Sequence, residues 1–391
     1  MKLLFVVQRY GAEVTGGSEA HCRLTAIGLA ARGYDVSVVT SCASEYMTWA
    51  NTYPPGVSQD HGVTVHRFKA ARERPFARFW ALTELMVDGR ASEDEQREWF
   101  AANGPDVPEL LQFLRDRGRE FDRVIFFTFR YAPSFFGLPI VADRAVLMPT
   151  AEDDDIIRSC TLLQQYFSSP RAFYFNTPEE KAMIVRIVGG PLAPGVVVGC
   201  GVEPPGPRPS RALLDAQGIP PDFLLYLGRV ERNKGCDSLL RHHAAYAQQV
   251  GDREAPIPLV LAGPLLMPIA EQPHLHVLGR VSDEMREALL THARALVMPS
   301  FFESLSLVVL EAWNRQTPVI VNALCDVLLG QVRRANGGLY YRTDDDFVAA
   351  IRRIATDPDT ARAFGRQGFA YVEAQYRWPL ILDRFESMLR I

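Results

Sequence analysis

The sequence predicts an α/β protein made of two doubly wound domains, each a parallel sheet with helices on both faces. Three observations carry that expectation. Short apolar, β-branched runs alternate with helical segments along most of the chain, the pattern of strand–helix–strand crossovers. Glu203-Pro204-Pro205-Gly206-Pro207-Arg208-Pro209 interrupts the series near its middle, and the alternation restarts after it. The length, 391 residues, exceeds what one hydrophobic core usually supports.

In order along the first half, Leu3–Val7 is a strand of about five apolar residues, too short for a secretory h-region. Gly16-Gly17-Ser18 opens a helix that runs to about Arg32, where Gly33 stops it. Asp35–Thr40 and Val63–Phe68 follow as strands. Residues from about 72 to 100 are charged and aromatic, helical in character and without a clear strand, so they read as an insertion or lid. Arg123–Phe127, Ala145–Met148, Arg171–Asn176 and Val196–Val198 complete the first strand series. Beyond the proline-rich linker, strands are expected at Phe223–Leu227, Pro258–Ala262, Leu275–Leu278, Ala295–Met298, Val319–Val321 and Gly338–Tyr341. The expected division is residues 1–205, with a helical insertion at about 70–105, then 206–370, then a closing helical segment 371–391 broken near Trp378-Pro379. Ligands of such sheets sit beyond the carboxyl ends of the strands, and two such domains would face one cleft.

Composition narrows the class. With 48% hydrophobic and 23% charged residues the chain is ordinary globular protein. A formal net charge of −4 argues against nucleic acid as a general partner. The six cysteines are scattered, with no CxxC pair, which argues against a zinc site or a disulfide framework and fits a reducing cytoplasm. No segment approaches the roughly 18 apolar residues of a membrane span. The expected location is cytoplasmic, with contact at most on a membrane face.

Two segments carry the chemistry. Gly228-Arg229-Val230-Glu231-Arg232-Asn233-Lys234-Gly235 follows an expected strand and offers two fixed cations beside a helix N-terminus. A diphosphate leaving group, which gains charge as its bond breaks, needs such a setting. A solvated basic loop would look the same in isolation. Pro299–Ala312 follows the strand at Ala295–Met298 and sets Glu303 and Glu311 with seven residues between them. A carboxylate in an apolar segment needs donors, and the vicinal hydroxyls of a ribose are a matched pair. The bland alternative is a helix-start carboxylate at Glu303 and a core-edge ion pair at Glu311.

Together these segments resemble the retaining glycosyltransferases of family 4, whose fold is GT-B, two Rossmann-like domains facing a cleft. The resemblance runs the length of the chain. Gly16-Gly17-Ser18-Glu19 resembles the family's first glycine loop, which approaches the donor, and Gly199-Cys200-Gly201-Val202-Glu203 the end of its first domain. Arg229 and Lys234 match the pair that binds the donor diphosphate, and Glu303 and Glu311 the ends of the E-x7-E signature. The resemblance implies that Glu311 holds the ribose, that Glu303 lies near the transferred sugar, and that amides of Ser304, Leu305, Ser306 and Leu307 reach phosphate and sugar. Gly228 belongs to the same donor set. Base selection falls on backbone around Gly279–Ser282, with Val281 at its centre. The resemblance also implies an acceptor-side first domain, a donor-binding second domain and a terminal helix that crosses back to the first.

Some positions depart from the family pattern. Ser306 stands where a glycine is usual, which would reshape the sugar pocket. Glu152 stands where many relatives place a histidine near the acceptor, and Thr128-Phe129-Arg130-Tyr131 lacks a second histidine. The expected catalytic set is therefore Arg229, Lys234, Glu303 and Glu152. Asp153-x-Asp155 spells a DxD metal motif of a different fold, and is discounted in favour of a helix-start acid run, so neither a metal nor a cofactor is expected. His21, just past the glycine loop, is a donor contact or a structural residue. Phe76, Phe79, Trp80 and Trp99 with Arg72, Arg74 and Arg78 either pack onto the first domain or touch an anionic membrane.

The function that follows is retaining sugar transfer from a nucleotide-diphosphate sugar to an acceptor sugar, lipid-linked sugar or small molecule. It would serve polysaccharide, glycolipid or natural-product synthesis. The rivals are a sugar-nucleotide epimerase on the same fold and a catalytically silent nucleotide-binding scaffold.

Overall fold

The apolar runs become strands because both faces of each are covered. Leu3, Leu4, Phe5 and Val6 are wholly buried, as are Leu224, Leu225 and Tyr226 in the second half. The computed structural model describes residues 1–14, 16–251 and 255–390. They form two compact units, Met1–Cys200 with Trp378–Ile391, and Gly201–Arg377. The sequence reading drew these divisions at 205/206 and 370/371.

In the first unit the strands are β1 (Lys2–Val6), β2 (Asp35–Ser41), β3 (Gly56–Asp60), β4 (Val63–Phe68), β5 (Arg123–Phe127), β6 (Ala145–Met148), β7 (Ala172–Phe175) and β8 (Gly195–Val197). Their order is β3-β4-β2-β1-β5-β6-β7-β8. All neighbours are parallel except β3 and β4. The antiparallel β3 went unread because Gly56-Val57-Ser58-Gln59-Asp60 has one apolar residue and lies exposed at the edge. Its hairpin turns at His61 (φ 49°) and Gly62 (φ 86°), two consecutive left-handed residues of the kind that matches strand twist. The direction of winding reverses between β1 and β5, which makes their carboxyl ends the switch point of this sheet.

The helices of this unit are α1 (Gly17–Ala31), α2 (Phe76–Val87), α3 (Glu93–Asn103), α4 (Pro108–Arg117), α5 (Ala132–Gly137), α6 (Asp155–Ser159), α7 (Leu162–Phe167) and α8 (Pro178–Val188). The charged, aromatic stretch is thus α2 and α3. A capping box of Ser92 and Glu95 starts α3. Phe79, Leu82, Met86, Trp99 and Phe100 enter the core beside Leu114, Phe126 and Phe135, and Phe100 stacks on Phe135 at 3.6 Å. The arginines are engaged within the unit. Arg72 pairs with Asp106 at 2.9 Å and Arg78 with Glu98, while Arg74 donates to Asn103 O at 2.9 Å between the Trp49 and Phe79 rings. Trp80 alone of the aromatic set is exposed. No helix among the described residues is long and apolar enough to cross a membrane.

The second unit's sheet has β9 (Leu224–Leu227), β10 (Leu259–Ala262), β11 (Leu275–Gly279), β12 (Ala295–Met298), β13 (Val319–Asn322) and β14 (Gly338–Tyr341). The order is β11-β10-β9-β12-β13-β14, and every pair is parallel. Its helices are α9 (Ala212–Asp215), α10 (Cys236–Val250), α11 (Asp283–His292), α12 (Leu307–Asn314), α13 (Asp326–Ala335), α14 (Asp344–Thr356) and α15 (Pro358–Gln375). Here the switch point lies between β9 and β12. Trp313 anchors α12, fully buried, with Nε1 donating to Gly337 O at 2.9 Å. Gly368 of α15 lies so close to its ring that a Cβ there would overlap it. All six cysteines are buried thiols rather than disulfides.

The last helix, α16 (Trp378–Leu389), belongs to the first unit. Tyr174 Oη donates to Phe385 O at 2.7 Å, Arg384 donates to Val198 O at 3.1 Å, and Arg32 pairs with Asp383 at 2.6 Å. His21 lies beneath it, 3% exposed, with edge-on contacts to Phe127 and Phe385. It is a core residue rather than an open donor contact. Burial holds its imidazole down at about 3, against an ordinary 6.5.

A pH dependence follows. The unfolded chain binds the His21 proton from about pH 6.5 downward while the folded unit resists it, so stability is full above that value and falls as pH drops toward 3. Complete titration is worth on the order of 5 kcal/mol. His21→Leu should flatten that part of the curve. Thermal unfolding of both chains from pH 7 to pH 4 checks it, and identical pH profiles would refute it.

Candidate functional site

The site is built at the carboxyl ends of β9, β10 and β12, where three loops meet within the second unit. Gly228 (φ 149°) leaves β9 with its N–H on Ala262 O at 2.9 Å, and Gly263 (φ 139°) leaves β10 with its N–H on Gly279 O at 2.7 Å. A side chain on Gly263 would overlap Gly228 O, so the two loops cross with backbone on backbone. Tyr226 Oη donates to Arg229 O at 2.6 Å and fixes the next residue.

The loop then closes in one short turn, Arg232–Lys234, and Gly235 adopts φ 73° as it enters α10. A Cβ at Gly235 would overlap Pro299 O. That contact sets the start of α10 against the loop leaving β12, and Asn322 Nδ2 holds the same carbonyl at 3.1 Å. As a result Lys234 Nζ reaches Glu303 Oε1 at 3.0 Å. The pair is largely buried, with side chains 20% and 8% exposed. The next residues lead into α12, whose first turn has no side-chain cap. Two helix N-termini and a lysine thus supply positive potential at one sheet edge.

Other expected residues have different partners. Arg229, in the same loop, pairs with Glu231 at 3.1 Å and is 43% exposed. Glu311, on α12, pairs with Arg286 of α11. Arg286 is mostly shielded, and its interactions with Glu311 oppose the lowering that burial alone would cause. Val281 is half-buried just before Ser282, the N-cap of α11. Ser304 is half-buried, while Leu305 and Ser306 are buried. Ser306 N–H donates to Gln331 Oε1 at 3.2 Å, so that amide is already committed within the protein. Gly263, Arg286 and Gln331 escaped the sequence reading. Only Gly263 carried a signal, a glycine directly after a strand, like Gly228.

In the first unit Gly16 precedes α1 and Gly17 opens it. A Cβ on Gly16 would overlap the Glu19 carboxylate. That carboxylate, 4% exposed, accepts from Gln8 Nε2 at 2.8 Å, Arg9 Nε at 2.9 Å and Ser18 Oγ at 2.7 Å. The glycine is therefore needed to pack a buried ion pair at the end of β1, a role for Glu19 that the motif alone does not give.

Glu152 is half-buried on the loop leaving β6. Its neighbour Ala151 donates N–H to Glu180 Oε1 at 2.6 Å, and Asn176 N–H reaches Glu180 Oε2 at 2.6 Å. Burial raises the Glu180 carboxyl to about 8, although those two amides pull it down. Thr128 (φ 58°) and Thr150 (φ 46°) end the adjacent strands β5 and β6 in left-handed conformations that non-glycine residues seldom adopt. In the acid run, Asp153 faces Arg158 at 2.8 Å. Asp154 caps α6 through Ile157 N–H and pairs with Arg130 at 2.7 Å.

Two doubly wound units, with a cation, a carboxylate and helix N-termini at the switch point of the second, define a GT-B type of fold. Residues 215–370 match the family model "Glycosyl transferases group 1". The chain is 30% identical over 222 residues to D-inositol 3-phosphate glycosyltransferase 2 of Catenulispora acidiphila, an alignment covering 52% of each chain. It thus spans about half the length of that curated relative. Similarity to an uncharacterized glycosyltransferase of Methanocaldococcus jannaschii is lower, 22%, but covers 100% of this chain and 98% of that one. Among solved structures, sucrose-phosphate synthase from Thermosynechococcus elongatus superposes with a TM-score of 0.72 at 16% identity, covering 100% of this chain and 98% of that chain. An E. coli trehalose-6-phosphate structure bound with UDP-2-fluoro glucose gives 0.73 at 12% identity, covering 100% and 99%. These superpositions establish the fold.

Proposed function

We propose that this chain is a retaining glycosyltransferase that moves a sugar from a nucleotide-diphosphate donor to a hydroxyl acceptor. The observation that carries the reading is the Lys234–Glu303 pair at 3.0 Å, between the starts of α10 and α12 and inside the matched region. In the reaction the bond from the anomeric carbon to the diphosphate oxygen breaks and one to the acceptor oxygen forms. The acceptor proton passes to the departing diphosphate on the same face, so no enzymic nucleophile is needed. Lys234, Arg229 and the helix amides stabilise the leaving charge. Glu303 lies by the transferred sugar, and Glu311 exchanges Arg286 for the ribose hydroxyls.

Among the named relatives are a D-inositol 3-phosphate glycosyltransferase and a sucrose-phosphate synthase. A sugar or sugar-like acceptor in polysaccharide, glycolipid or natural-product synthesis suits the reading, with a cytoplasmic location, including the inner face of a membrane.

The test is a thermal-shift and turnover screen of UDP-, GDP-, ADP- and dTDP-sugars, following release of nucleotide diphosphate with and without candidate acceptors. One donor class should raise the melting temperature and be consumed. No shift and no release with any donor would end the reading. Because fixed cations supply the countercharge, turnover should persist in EDTA. Loss on chelation that manganese or magnesium restores would overturn the metal-free form of the mechanism.

A further inference from the structure

Arg74 is a buried guanidinium without an ion pair in the first unit. It lies on the loop between β4 and α2, 9% exposed, with its N–H on Thr48 O at 2.9 Å. The side chain passes between the rings of Trp49, 5.2 Å to the centroid, and Phe79, 4.8 Å. Nη2 donates to Asn103 O at 2.9 Å, a carbonyl that also accepts Trp49 Nε1 at 2.7 Å. Nε is sealed from solvent without a partner. Nη1 makes no hydrogen bond among the described residues either, and it keeps contact with solvent. Arg72 and Arg78 each pair with a carboxylate, whereas Arg74 has no ion pair among the described residues. A cation this enclosed ordinarily has a countercharge, because its desolvation otherwise goes uncompensated.

The surroundings carry the same bias. Loops leaving β2, β4 and β5 bring Tyr46, Trp49, Arg74 and Tyr131 together on the side where such a sheet takes its ligands. Tyr46 and Tyr131 are half-buried, so the cluster reaches the surface there. Tyr131 lies edge-on to Trp49 at 5.4 Å, and the charges of Arg9, Arg74 and Arg130 all act on its hydroxyl. Arg9 has Glu19 and Arg130 has Asp154. Glu45, whose charge also reaches Arg74, is turned into its own loop, accepting Met47 N–H at 2.6 Å and Thr48 N–H at 3.0 Å. Burial lowers the Arg74 pKa in spite of Tyr131, Glu45 and Tyr46. At Arg130, also shielded, the charges of Asp154 and Glu152 outweigh burial.

We infer that Arg74 recognises an anionic acceptor, a sugar or sugar-like molecule that bears a phosphate monoester or a carboxylate. The inference rests on the transfer described under Proposed function and deepens it by giving the acceptor a charge. The Nη1 edge of the guanidinium meets the anion, while Trp49, Phe79 and Asn103 O hold the planar fork in place.

The experiment uses the full chain in phosphate-free buffer, with the nucleotide diphosphate that binds wild type at saturation to occupy the donor site. Glucose, glucose 6-phosphate and glucuronate are then titrated by calorimetry. One charged sugar should bind wild type at least about tenfold tighter than glucose, the scale of a charge-assisted hydrogen bond. Which of the two it is tells phosphate from carboxylate. Arg74→Met should erase that preference and keep nucleotide diphosphate affinity within about twofold, while Arg74→Lys, with the charge but not the fork, should retain part of it. An arginine that only packs would give the opposite result. Arg74→Met would then lower the melting temperature and leave the preference standing, which overturns this inference alone. A wild-type chain with no preference for either charged sugar over glucose, weak binding of all three included, overturns it as well. A wild-type chain that binds no nucleotide diphosphate overturns the transfer, and the acceptor role with it.

Discussion

Lys234→Ala should lower turnover of the proposed transfer by about two to three orders of magnitude, or about 3–4 kcal/mol of transition-state stabilisation. Two effects add. The variant removes the cation proposed to meet the leaving diphosphate, and it strips Glu303, whose side chain is 8% exposed, of its partner at 3.0 Å. A buried carboxylate without a countercharge repels the incoming phosphate as well as costing stability. Arg229→Ala should cost less, because Arg229 is 43% exposed and engaged by Glu231. Glu303→Gln separates the two effects, since it keeps the lysine and removes the charge facing it. Steady-state kinetics on folded, purified variants settle the ranking. Near-normal turnover in Lys234→Ala would remove lysine from the chemistry, whatever the other variants do.

Gly263→Ala should be the most damaging small substitution in the second unit, costing about 3 kcal/mol or more and abolishing nucleotide binding. The residue sits at φ 139°, where a side chain is strained, and its Cβ would overlap Gly228 O. Relief would require the loop carrying Arg229 and Lys234 to move. Gly218 is the control, because it has φ 66° with nothing within 4 Å of a built Cβ. Gly218→Ala should cost only about 1 kcal/mol, the left-handed strain by itself. Chemical denaturation of both variants, with nucleotide titrations alongside, makes the comparison. Equal costs would mean that the loop yields freely and that the crossing does not position the site.

The sequence by itself determined where the buried strands lie, because burial on both faces demands uninterrupted apolar runs such as Phe223–Leu227 and Ala295–Met298. It also showed which loops follow them, and so it placed Lys234 and Glu303 just beyond the carboxyl ends of two strands. Periodicity could not report β3, whose five residues pair at an exposed edge and bury almost nothing. Nor could it separate a basic loop from a phosphate site. Which charges pair is a matter of distances across the fold. Tertiary structure alone joined Lys234 to Glu303 over 69 positions, sent Glu311 to Arg286 and set Gln331 on the Ser306 backbone. It likewise set Gly16 against the Glu19 carboxylate, and buried His21 under α16. Local sequence specifies elements through short-range burial and backbone preference, whereas partners distant along the chain are chosen only when the sheet order brings strand ends together.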